Sequence, residues 1–202
     1  MNKRLRLFIA IELPDAVKNE LCRLIDALNA ANTGAVQCVR PEGAHLTLKF
    51  LGNVDSSRVD TLSEALTRAV GGHTAFSLRL GVGGADRGAF PNLHRPRVLW
   101  VGIDSDTTAL SSLSTLQADV EDELADVGFA KDDREYNPHL TLARIRRDSQ
   151  PTSVERATGV HTSSPVNEHL EIPVTQISIM RTELHPDGAI HRRVVSIPLS
   201  DG

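Results

Sequence analysis

The tetrapeptide His-Leu-Thr-Leu occurs twice in this chain, as HLTLKF at 45–50 and as HLTLAR at 139–144. In an extended strand, residues two apart share a face. His45 and Thr47 therefore point one way while Leu46 and Leu48 point the other, and His139 and Thr141 repeat this against Leu140 and Leu142. The leucines suit burial, which leaves each His–Thr pair facing outward. If the two strands face one another, two imidazoles and two hydroxyls converge on one cleft. Histidine titrates near neutral pH, so a pair of them can serve as one base and one acid. In-line attack at phosphorus needs both, on opposite sides of the reacting centre. One imidazole takes a proton from the attacking oxygen, and the other gives a proton to the leaving oxygen. Threonine hydroxyls can hold the non-bridging oxygens. The scheme uses no metal, and His-x-Thr lacks the helical two-histidine spacing of a zinc site. One His-x-Thr alone would carry little, and an inactive echo of an old duplication is the competing explanation for two.

The surrounding elements follow from periodicity. LRLFIAIEL (5–13) is strand-like and stops at Pro14. Val17, Leu21, Leu24, Ile25 and Leu28 recur at helical steps, predicting a helix over 15–30. A short strand is expected within 36–40 and a second helix over 56–70. FSLRLGVGG (76–84) and RVLWVGI (97–103) read as strands, with a glycine-rich GAFPNLHRP loop before the second. Leu110, Leu113, Leu116, Val120, Leu124 and Val127 form one stripe of a third helix, and Gly128 stands at its exit. Residues 147–168, broken by two prolines, read as a loop with a short helix near 153–157. Residues 174–184 and 189–199 make a hairpin around His185-Pro186-Asp187-Gly188. This order, without a glycine-rich phosphate loop after the first strand, favours α+β with antiparallel pairing over a doubly wound parallel sheet.

Composition bounds the partners. Of 202 residues, 40% are hydrophobic and 24% charged, enough for a core without staples, and the net charge of −4 argues against wrapping long nucleic acid. Cys22 and Cys38 have neither metal-ligand spacing nor a disulfide framework. MNKRLRLFIAIELPD has too short an apolar run for a signal peptide, and no stretch reaches membrane-spanning length. The expectation is a cytoplasmic monomer that uses no cofactor, metal or membrane.

RLFIAIELP, GAHLTLKFLGNV, GAFPNLHRPRVLWVGI and YNPHLTLAR, in this order, resemble the two-histidine phosphoesterase superfamily. Within it they resemble the LigT-like RNA 2′,3′-cyclic phosphodiesterases, also called the 2′–5′ RNA ligase group. The likeness covers nearly the whole chain and is weakest over 147–170. It implies one bilobal α+β domain over 1–202, with two antiparallel sheets around a central cleft, helices on the outer faces and a pseudo-two-fold relation. It further implies His45 as general acid, His139 as general base, and Thr47, Thr141 and Arg144 as phosphate ligands. The implied partners are RNA 3′ ends bearing a 2′,3′-cyclic phosphate, or cyclic nucleotides. Alternatives at this point are 2′–5′ ligation by the reverse reaction, a small cyclic-nucleotide substrate, and a binding module without turnover.

Strand parity raises two questions. Arg144 is an odd step from His139 and reaches the histidine face only if the strand bulges, twists or ends there; otherwise it is a surface arginine. Lys49 is an even step from His45 and is expected on the histidine face or at its rim. Phe50 is the candidate for nucleobase stacking, against core packing, while Phe8, Phe76, Trp100 and Phe129 are expected in the core. Arg87, Arg95 and Arg97 flank the GAFPNLHRP loop and could meet RNA phosphates or be solvated. Of the other six histidines most are expected in solvent; His191, inside a strand, could reach the cleft but is not counted among the site residues.

Overall fold

The computed structural model describes residues 3–31, 33–81, 87–104, 107–167, 169–185 and 188–200. Its elements are β1 (Arg4–Glu12), α1 (Asp15–Ala30), β2 (Val36–Cys38), β3 (His45–Asp55), α2 (Val59–Val70), β4 (Phe76–Leu80), β5 (Arg87–Phe90) and β6 (Val98–Asp104). There follow α3 (Thr107–Asp126), β7 (His139–Ile145), α4 (Pro151–Ser163), β8 (Glu171–Val174), β9 (Gln176–His185) and β10 (Gly188–Pro198). One sheet has the order β10-β9-β1-β3, the other β2-β7-β6-β4-β8, with β5 added on β6. The strands within each sheet pair antiparallel, so the expected α+β architecture with two sheets is the one observed. Each sheet carries one HLTL strand, β3 in the first and β7 in the second.

The apolar faces of both sheets join one continuous core. Leu7, Ile9, Ile11, Ile177 and Ile179 line it from the first sheet, and Leu99, Val101 and Leu140 from the second. The helices present the stripes that their spacing dictates. Val17, Leu21, Leu24, Ile25 and Leu28 of α1 are buried, as are Leu113, Leu116, Val120 and Leu124 of α3. Beyond α3 the backbone N–H of Phe129 returns to the Leu124 carbonyl at 2.9 Å, closing the helix where Gly128 predicts its end. α3 leans on β3 and β4, α2 on β10, and α1 on β2, β7 and α4.

Two elements differ from the sequence reading. Residues 151–163 form a full helix where a loop with one short turn is expected, because Pro151 stands at the first helical turn, where a missing N–H costs nothing. Part of the GAFPNLHRP segment is a strand, β5, whose register on β6 sets Gly88 opposite Trp100. The predicted hairpin forms, although Pro186 and Asp187 of its turn lie outside the described residues.

The feature that matters most for the site is a bulge repeated in both HLTL strands. On β3, Thr47 pairs with Ala10 but Lys49 pairs with Ile9, so one extra residue, Leu48, is accommodated. On β7, Thr141 pairs with Trp100 but Ala143 pairs with Leu99, so Leu142 is extra. A bulge reverses the alternation of side chains beyond it. Both strands accordingly show one burial sequence: Leu46, Leu48 and Lys49 are buried and Phe50 exposed, as Leu140, Leu142 and Ala143 are buried and Arg144 exposed. Val98, Trp100 and Gly102 share a face of β6 and stand opposite Arg144, Thr141 and His139. Arg144 is therefore on the histidine side.

The same bulge overturns the expectation for Lys49. It is turned into the core, where it pairs with Glu121 of α3 and donates to the Ala130 carbonyl at 2.8 Å. Glu121 also accepts from the Asp132 backbone N–H at 3.2 Å and the Gln117 amide at 3.3 Å, so the buried charges are hydrogen-bonded on both sides. Removing one member strands the other. Lys49→Met is expected to lose about 3–5 kcal/mol in urea denaturation, and the double variant Lys49→Met/Glu121→Met to recover much of it. A loss below about 1 kcal/mol in the single variant would show that the pair does not hold the strand.

Candidate active site

Both histidines are held by the same local device. The Nδ1 of His45 lies 2.7 Å from the carbonyl oxygen of Gly43, and the Nδ1 of His139 lies 2.8 Å from that of Asn137. A carbonyl can only accept, so Nδ1 carries the proton in each ring and Nε2 is the reactive nitrogen. The acceptor stands two residues before each histidine. For His45 it ends a short 3-10 turn, Pro41–Gly43; for His139 it precedes Pro138, which holds Asn137 extended. The two strands that carry the rings, β3 and β7, touch one another. Tyr136, in the segment leading into β7, donates its hydroxyl to the Thr47 backbone carbonyl at 3.2 Å and so ties the second motif to the first.

Thr47 and Thr141 are half-buried on the same faces as their histidines, and among the described residues neither hydroxyl bonds to another protein group. Arg144 and Phe50 take the same place on the two strands, each just past the bulge. Arg144 is near enough for its charge to oppose protonation of His139. Phe50 is 71% exposed, and its ring centroid is 6.1 Å from that of Phe8 on β1. One lobe thus offers a cation and the other an exposed ring at equivalent positions. Among the described residues no three His, Cys, Asp or Glu side chains are grouped as a metal site.

The model of the 2′-5′ RNA ligase superfamily matches residues 13–186. The chain belongs to this family of two-histidine phosphoesterases, in its LigT-like branch. The RNA 2′,3′-cyclic phosphodiesterase of Methanothermobacter thermautotrophicus is 29% identical over 188 residues, covering 93% of this chain and 95% of that protein. That of Thermotoga maritima is 30% identical over 188 residues, covering 93% and 92%. Among solved structures, TT0787 of Thermus thermophilus aligns with a TM-score of 0.69 at 25% identity, over 98% of this chain and 99% of that one.

Within this family member the sequence reading missed three aromatic contacts, all made across strands. The Phe8 ring lies 4.4 Å from the His45 ring, so although buried it backs the histidine instead of filling the main core. Trp100, also expected in the core, lies on the histidine face of β6, 6.0 Å from His139, and Phe90 meets His139 edge-on at 4.7 Å. The Trp100 ring lies flat over Gly88, where a Cβ would come within 2.1 Å of it; only glycine admits that approach. His191 on β10 meets the His45 ring edge-on at 4.9 Å and sits against Gly43, whose carbonyl orients His45. Strand parity could have placed Trp100 opposite Thr141, but only with the β6–β7 register known. Arg87 is drawn inward, donating to the His161 carbonyl at 2.7 Å, while Arg95 and Arg97 stay exposed. His161, expected in solvent, is buried, with its Nε2 3.1 Å from the Gly88 carbonyl.

Burial dominates the electrostatics. It lowers His45 to about 4, aided by the charges of His191 and His139, although the Gly43 carbonyl opposes it. His139 is lowered by burial and then by Arg144, against the Asn137 carbonyl. The unliganded pair is therefore neutral at pH 7, with lone pairs on both Nε2 atoms. An anion between the rings favours their charged forms and moves both titrations upward. Proton NMR titration is expected to show His45 and His139 changing below the ordinary histidine range, and shifting to higher pH with inorganic phosphate. Titration of both at about 6.5, unmoved by phosphate, would contradict this electrostatic reading.

Proposed function

We propose that the paired histidines hydrolyse the 2′,3′-cyclic phosphate at RNA 3′ ends to a 2′-phosphate. The observation that carries this reading is the duplicated clamp, one Nδ1–carbonyl contact fixing each histidine on two strands that touch one another. His139 accepts a proton from water as the water oxygen attacks phosphorus. The P–O3′ bond breaks, and His45, protonated when the anionic substrate is bound, gives its proton to O3′. Thr47 and Thr141 hold the non-bridging oxygens, and Arg144 balances their charge. The geometry of the pair is symmetric and burial lowers both rings, so the division into acid and base rests on the family resemblance.

The nucleobase is assigned to Phe50, whose exposed ring lies on the histidine face beyond His45. Base–aromatic stacking contributes about 1–3 kcal/mol, so Phe50→Ala is expected to raise KM for a cyclic-phosphate RNA several-fold or more, with a smaller effect on kcat. An unchanged KM would remove Phe50 from the site. Cys22 and Cys38 are both free thiols, which suits a reducing compartment, and no described helix is long and apolar enough to cross a membrane. A monomeric cytoplasmic enzyme is the form proposed.

The decisive experiment supplies a short RNA ending in a 2′,3′-cyclic phosphate, with EDTA in excess. A 2′-phosphate product is expected, with turnover falling on the order of 10²–10⁴-fold in His45→Ala and in His139→Ala. Near-wild-type rates in both variants, or activity that appears only with added divalent metal, would overturn the reading.

A further inference from the structure

The histidine face of the first sheet continues past the catalytic pair. The register sets His45, Thr47, Phe50 and Asn53 of β3 opposite Glu12, Ala10, Phe8 and Arg6 of β1. Arg6 in turn stands opposite Thr182 of β9, and Thr182 opposite His191 of β10. The two bulges on β3 keep these residues in line while β1 alternates regularly, so Arg6 shares its face with Phe8, Phe50 and His45. The opposite face of this sheet is buried in the main core; on this one Phe8, Ala10 and Met180 form a small buried cluster of their own, and Arg6 and Phe50 beside it are exposed. Leu184, two residues beyond Thr182, is 73% exposed on the same side. With Phe50 it is one of the two most exposed large apolar side chains among the described residues.

The charges on this face differ in their use. Arg193 stands opposite Met180 and is held by Glu12 at 3.6 Å. Arg4 stands opposite Asp55. Arg6 is exposed, and among the described residues no carboxylate or carbonyl engages it. Thr182, opposite Arg6, is hydrogen-bonded to His191 at 3.2 Å, and His191 meets His45, so Arg6 is linked to the catalytic end. Along β1 it is two residues, about 7 Å, beyond the Phe8 that backs His45 and Phe50. That is the scale of one nucleotide step from the stacked terminal base. An exposed guanidinium with no acidic partner among the described residues, near the exposed Phe50 and Leu184 and in line with the histidine face, matches what binds single-stranded nucleic acid: a cation for the backbone and apolar surfaces for bases.

We propose that this face is a track for the RNA chain 5′ of the cyclic end, and that Arg6 binds the phosphodiester joining the terminal nucleotide to its neighbour. The inference rests on the cyclic phosphodiesterase reading and adds to it the residue by which the site distinguishes an RNA oligomer from a mononucleotide. A chain with net charge −4 holds little general attraction for RNA, so the preference depends on this local contact.

The test compares wild type and Arg6→Gln on two substrates with one terminal base: a nucleoside 2′,3′-cyclic monophosphate and an RNA tetramer with the same end. Wild type is expected to favour the tetramer in kcat/KM. Arg6→Gln should lose that advantage by on the order of tenfold, leave the mononucleotide unchanged, and flatten the dependence of log kcat/KM on log salt by about 0.7 for the tetramer. Arg6→Lys should restore part of the preference. Equal kcat/KM for both substrates in wild type overturns the track and leaves the reaction standing. An equal fall on both substrates also overturns it. A tetramer preference untouched by Arg6→Gln assigns the face to another occupant, such as a second copy or a protein. Hydrolysis of neither substrate by wild type removes the reaction, and the track with it.

Discussion

One extra residue just after the threonine of each HLTL motif organises this protein. Without the bulges at Leu48 and Leu142, strict alternation would send Arg144 and Phe50 into the core and bring Lys49 and Ala143 to the cleft. The site would then hold a flexible lysine beside one histidine and a methyl group beside the other. With the bulges, each strand presents histidine, threonine and one further functional group on a single side. The buried Leu–Leu pairs still anchor each strand to the shared core. Loss of the pleat at one position is offset by buried contacts: Leu48, Leu142 and Ala143 are all packed, and Lys49 finds Glu121.

The two lobes repeat this geometry but not its chemistry. Both histidines give Nδ1 to a carbonyl two residues earlier, so both are oriented before any ligand arrives. Past the bulge the copies diverge, to Phe50 on one side and Arg144 on the other. Their surroundings diverge as well. His45 rests on Phe8 and His191, His139 on Phe90 and Trp100. A pseudo-symmetric frame thus holds an asymmetric pair of imidazoles, which an acid and a base working on one phosphorus need. Pre-orientation limits reorganisation at the moment of reaction, and burial makes the pair respond strongly to an anionic ligand.

Packing between the lobes is polar as well as apolar. The Tyr136 hydroxyl bonded to the Thr47 carbonyl joins the entry to one motif to the middle of the other. The Lys49–Glu121 pair joins β3 to α3 just behind the first motif. Both contacts restrain the strand that carries His45.

Much of this was legible from the chain alone. The two-residue period put each histidine with its threonine, because that relation needs only an extended backbone. The helical stripes of 15–30 and 107–126 were legible because their apolar spacing is local and unbroken. So was the family, from motifs spread along the chain in order. What tertiary structure decided is everything that depends on register between strands distant in sequence. A bulge at Leu142 is visible only against Leu99 and Trp100 of a different strand, so the direction of Arg144 could be posed as a question but not answered. Trp100 and Phe8 read as core because apolar type reports burial and not which face is buried. His191 came to His45 through three antiparallel pairings that join four strands. Local sequence determines which side chains share a face; only the assembled sheets determine what that face meets, because cross-strand pairing is set by contacts between segments distant along the chain, 41 residues from Trp100 to Thr141 and 176 from Arg6 to Thr182.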